Sequence, residues 1–123
     1  MRPGDRHEIP TVSEAVSRAA AICDPAAADG AVTALVASFE LDDRPATAVD
    51  DLAGVLGSTV GGVDPEGDSP AASVAAAVAF WLASNPDPGD DRELVLREAV
   101  RLGFGDKVPG DVSAWLGEQG VTA

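Results

Sequence analysis

Residues 69–84, SPAASVAAAVAFWLAS, carry apolar side chains around the full turn of a helix, with Ser73 the one polar interruption between the ends. A helix without a polar face has nothing to offer water and must be covered on all sides. Pro86 ends the run, which is too short to cross a bilayer. Asp68 or Ser69 is placed to cap its free amides, and Pro70 suits the first helical position, where a missing N–H costs nothing. Val74, Val78 and Leu82 recur every four residues beside Trp81 and make a bulky ridge, while Ala71, Ala75 and Ala79 make a flat one. Phe80 points away from both, so at least two neighbours must pack here. The expected fold is therefore all-α: a compact bundle of five to six short helices around a central apolar helix at about 69–84.

The rest of the chain supplies two-sided helices to cover it. Residues 1–10 read as a flexible polar arm, followed by a single helical domain over 11–120. Thr11 and Glu14 form a capping box, and Val12, Val16, Ala19 and Cys23 fall on one stripe, predicting a helix from Val12 to about Cys23. Asp24-Pro25 then opens a second helix after a connection of a residue or two, with Ala28, Val32, Leu35 and Phe39 inside; Gly30 weakens its first turn. The pair reads as an αα-hairpin. Pro45, or Thr47 with Asp50, opens a third helix on Val49, Leu52 and Leu56, fading at Gly57. Residues 57–68, GSTVGGVDPEGD, read as a loop with room for a short extended piece at Ser58–Val60, dividing the chain into two helical halves. Asp90 or Asp91 caps a fifth helix to about Leu102, with Leu94, Val95, Ala99 and Leu102 inside and Gly103 as its C-cap. Glu93 and Arg97 stand at i, i+4 in the favourable order. Pro109 to Gln119 gives a sixth, with Val112, Trp115 and Leu116 on one side.

Composition narrows the setting. At 123 residues the chain is long enough for one modest core, and 46% hydrophobic residues exclude wholesale disorder. The apolar content is mostly alanine and valine, with two Trp, three Phe and no Tyr, so the core buries less area per residue than one built on leucine. Such a core gains from a partner or a second copy. The net charge of −13, from 21 acidic against eight basic residues, resembles the balance of proteins from salt-in halophiles. At about 1 M salt the Debye length is ~3 Å, which screens the self-repulsion of such a chain. Cys23 is alone and excludes an intramolecular disulfide. No signal peptide or anchor follows the first arginines, so a cytoplasmic location without membrane association is expected.

Chemistry-bearing patterns are sparse, and no catalytic, metal or cofactor site is expected. His7 is the one histidine and sits in the arm. Cys23 lies on an apolar stripe beside Asp24, the reverse of the electropositive setting that activates a thiol. Asp64, Glu66 and Asp68 begin like a calcium loop, but Pro70 and Ala75 stand where that loop needs a turn and a bidentate glutamate. The leading expectation is a non-enzymatic module that binds a protein partner or itself, with Phe80, Trp81 and Trp115 as contact candidates. A small regulatory protein touching nucleic acid through Arg92, Arg97 and Arg101 is the alternative, disfavoured because Asp90, Asp91, Glu93, Glu98 and Asp106 cancel the local charge. A third is an enzyme with paired carboxylates, Asp64 with Asp68 or Asp90 with Asp91.

Overall fold

Residue 69 marks where the architecture is decided. Its hydroxyl accepts from the Ala72 amide and its successor, Pro70, opens the central helix. A computed structural model describes residues 10–26, 28–66, 69–85 and 91–121. The arm up to residue 9, with His7, lies outside the described residues, as do Asp68, Asp90 and the side chain of Thr47. Six α-helices run in the order α1 (Val12–Cys23), α2 (Gly30–Phe39), α3 (Leu52–Val63), α4 (Pro70–Ser84), α5 (Arg92–Phe104) and α6 (Gly110–Glu118), with one 3₁₀ turn at Ala46–Ala48. Among the described residues there is no strand, only an isolated bridge between Thr11 and Pro45.

Ten of the 15 residues of α4 are buried, and it packs against all five other helices and the 3₁₀ turn. The all-α bundle around a central apolar helix is the fold observed. The core draws on every helix, from Val12 in α1 to Leu116 in α6, and takes in Val121 beyond it.

Helix α1 begins with the expected capping box: the Thr11 amide donates to Glu14 Oε1 at 2.9 Å and the Glu14 amide to Thr11 Oγ1 at 3.1 Å. Its next amides, Val12 and Ser13, donate to the carbonyls of Arg44 and Asp42, both at 2.9 Å. The 42–46 segment thus closes the helix start that would otherwise leave free donors. Val12, Ala15, Val16, Ala19 and Cys23 face the core.

Four sequence expectations need correction. Helix α2 starts at Gly30 rather than Pro25. The Asp24 carboxylate accepts from the amides of Ala28 and Asp29 at 3.0 and 2.8 Å, which stabilises a loop in place of a first helical turn. Asp29 is the cap instead, accepting from Ala31 and Val32. Ala28 is consequently exposed, and the connection is longer than a residue or two.

Pro45 opens only the 3₁₀ turn; α3 begins at Leu52, capped by Asp51 in the left-handed region (φ 55°). A side chain at Gly54 would overlap the Asp51 carboxylate as it is placed here, so glycine leaves this cap undisturbed. The same helix overturns most of the loop reading: Gly57–Val63 is helical and Ser58–Val60 is not extended, so that among the described residues only 64–66 of the expected loop is non-helical, residues 67–68 lying outside them. Leu52, Leu56, Val60 and Val63 make an i, i+4, i+8, i+11 stripe packed into the core. That packing outweighs the ~1 kcal/mol that each glycine costs a helix. Finally, α5 runs past Gly103 to Phe104 and is capped by Gly105 (φ 61°). Its inner face is Val95, Leu96, Ala99 and Val100, whereas Leu94 is 37% and Leu102 52% exposed. A Cβ at Gly103 would lie 3.0 Å from the Ala77 Cβ, so α5 crosses α4 closely at this point. In α6, Gly120 (φ 79°) lets the Val121 amide return to the Leu116 carbonyl at 2.9 Å, a Schellman closure.

Candidate functional site

The helix termini near Ser69 use two carboxylates, Asp29 and Asp64, as hydrogen-bond acceptors. Asp29 caps α2 with one oxygen, and its other oxygen accepts the Ser69 hydroxyl at 2.8 Å. Ser69, only 7% exposed, caps α4, and its own amide donates to Asp64 at 2.9 Å. A chain of side-chain bonds therefore joins the N-termini of α2 and α4. Beside it a cavity of about 360 Å³ is lined by Cys23, Asp24, Asp29, Ala71, Trp115 and Gln119. Burial pushes the Cys23 thiol up to about 12; Arg92 pulls it down and Asp24 adds to the rise. The thiol is neutral at physiological pH and thus a poor nucleophile.

Arg92 is held rather than displayed. Its Nε donates to the Ile22 carbonyl at 2.7 Å and its Nη2 to Gln119 Oε1 at 2.9 Å, fastening the start of α5 to the ends of α1 and α6. Arg97 pairs with Glu93 at 3.6 Å and Arg101 with Glu98 at 3.4 Å. Each of the three arginines has a partner within the chain, and Arg97 and Arg101 sit on an exposed surface with their acids. Of the carboxylate pairs, Asp91 accepts the Leu94 amide as the α5 cap; its neighbour Asp90 and the Asp68 partner of Asp64 lie outside the described residues. Among the described residues no three His, Cys, Asp or Glu side chains are grouped as for a metal.

The three aromatics are half-buried against the core. Phe80 stands between two concavities on α4. One, about 140 Å³, is framed by Ala53, Gly57, Ala77 and Gly103; the other, about 340 Å³, by Val49, Asp51, Leu52 and Ala83. Trp81 packs on the core without lining a described cavity, and Trp115 walls the cavity at Cys23.

A groove that the sequence reading missed is larger. It runs between α1 and α2, about 450 Å³, floored by Ala20, Ala21, Val32, Thr33, Val36 and Ala37, with Asp24 and Glu40 also in its lining. The α1–α2 pair is antiparallel: the Ser13 hydroxyl at the start of α1 donates to the Glu40 carbonyl at 3.3 Å, while Asp24 at the end of α1 binds the segment before α2. The two acids therefore stand at opposite ends. Leu41, just past Glu40, is 92% exposed. The signal was present in the sequence: α2 carries Ala31, Val32, Ala34, Leu35, Val36 and Ala37 around nearly its full turn, more apolar surface than one buried stripe uses.

Among the described residues no helix is long and apolar enough to cross a membrane. Compared with models of known protein families, with curated proteins and with solved structures, the chain gives no match.

Proposed function

We propose that this chain is a non-enzymatic helical module that acts by binding a protein partner or itself, in the salt-rich cytoplasm for which its net charge of −13 is suited. The observation that carries this reading is the open apolar groove between α1 and α2. Thr33 and Ala37 are exposed on its floor, with Val36 half-buried between them. Apolar surface arranged as a trough between helices is a common seat for an added helix or strand. It supplies complementarity and burial, and it asks for no reactive group.

Two measurements test the reading. Sedimentation velocity at molar KCl, combined with quantitative affinity capture from native cytosol, should show an assembly or a saturable protein partner. The same assembly should be lost with Ala37→Arg, at unchanged helical circular dichroism. A strictly monomeric protein with no saturable partner overturns the proposal. For the setting, thermal unfolding should shift upward as KCl rises from dilute to molar; equal stability at both removes the salt-rich assignment.

A further inference from the structure

The groove's two ends say something about what fills it. This step rests on the interaction-module reading and names the partner's chemistry. From Thr33 to Glu40 the trough extends about 10 Å at the 1.5 Å rise of a helix, room for about two turns of an occupant. Its floor is mostly apolar, three alanines (Ala20, Ala21, Ala37) beside half-buried Val36, with the Thr33 side chain exposed among them. Its ends are acidic: Asp24 is pinned in place by the Ala28 and Asp29 amides, and Glu40 is exposed at the other end. Beyond Glu40 comes exposed Leu41 and then exposed Asp43, while Asp42 is already neutralised by Arg44. A second copy packed groove to groove would bring the same acids against this acidic rim, each copy carrying a net charge of −13. Like charges juxtaposed across an interface are a cost that selects against that partner.

We infer that the α1–α2 groove receives a short amphipathic segment of a different protein, apolar in the middle and carrying Lys or Arg at both ends. The apolar centre provides the affinity in concentrated salt, where charge is screened. The terminal cations provide orientation and rate of encounter.

The test displays a helical peptide library on phage, with apolar residues held at i, i+3, i+4 and i+7 and the flanks randomised, and selects it against the full-length protein. Selected peptides should be enriched in Lys and Arg at both flanks. Their association with the Glu40→Lys protein should slow several-fold, with a matching loss of affinity. Ala37→Arg and Thr33→Arg, both at exposed positions, should each abolish binding, with circular dichroism confirming the fold. Raising KCl from about 0.1 M to about 1 M should weaken binding several-fold as the Debye length contracts. Flanks of random or acidic charge, or binding indifferent to Ala37→Arg, overturn the inference. If the protein instead forms a dimer that Ala37→Arg dissociates, the cationic partner is refuted and the interaction-module reading survives. If it selects no peptides, the cationic partner is refuted; if it also neither self-associates nor captures a saturable partner from native cytosol, both readings fall.

Discussion

Helices α2 and α4 are nearly equal in mean hydropathy, yet they live differently. Helix α4 buries ten of 15 residues, whereas α2 buries three of ten, Val32, Leu35 and Phe39. The cause is the number of neighbours. Helix α4 is packed by all the other helices, while α2 packs mainly on α1, α3 and α4, leaving its Thr33–Ala37 side in the open groove. Apolar content alone therefore does not mark the core of this protein. Where it exceeds what the fold can cover, it becomes surface, and the groove proposed above as a docking seat is made of that excess.

The contrast breaks most directly by truncation. Leu82, fully buried in α4, should cost ~2–5 kcal/mol on substitution by alanine, measured by urea unfolding. Val36→Ala in the groove wall should cost well under half as much; comparable losses would mean that the groove is core. Next in size is the alkaline limb. The Cys23 thiol is raised to about 12 in the fold, above its unfolded value of ~8.5. Its neutral form therefore favours the fold, fully below pH ~8.5 and progressively less as pH climbs toward 12, at up to ~1.4 kcal/mol per pH unit. The chain has no Tyr and Lys107 is its one lysine, so few other groups obscure the slope. Cys23→Ala should flatten the stability–pH curve above pH ~9; curves that stay parallel would place the thiol in contact with water.

Asp29 joins the two helices being compared. Asp29→Ala removes the cap of α2 and the bond to Ser69, and should cost ~1–2 kcal/mol. Asp29→Asn, which keeps an acceptor for the Ala31 and Val32 amides, should cost less; equal losses would show that capping is not the source. The smallest effects come from glycines. Gly57→Ala has open space around it in α3 and should stabilise by ~0.5–1 kcal/mol. Gly103→Ala must crowd Ala77 of α4 and should gain nothing, or lose. A matching gain at both sites would mean that α5 yields easily against α4.

Much of this architecture was legible locally. The Thr11–Glu14 box, the Ser69-Pro70 start and the 3.6-residue stripes of α1 and α6 are short-range signals, and they reappear in place. The errors have one physical origin. Gly57, Gly61 and Gly62 read as loop because local propensity opposes a helix there, and only the covering by α2 and α4 reverses the balance. Asp24 read as a helix cap because its chemistry suits one; which amides it meets depended on the path to Asp29. Leu94 and Leu102 read as core because leucine outranks valine in bulk, whereas the position of α4 selected the Val95–Val100 face. Of the candidate contact residues, Phe80 reaches the rim of two concavities. Arg92 turns inward to carbonyls that no sequence pattern could have brought near.

Periodicity and capping chemistry act over a turn or two, so the linear pattern was enough to show that the chain is helical, that most of residues 70–84 lies inside, and that its surface is strongly acidic. Tertiary structure alone decided which apolar stripe each helix buries, that the glycine-rich end of α3 is helical, and that α1 and α2 leave a trough with an acid at either end. Those outcomes depend on contacts between residues far apart in the chain, whose burial energies exceed the local preferences they override.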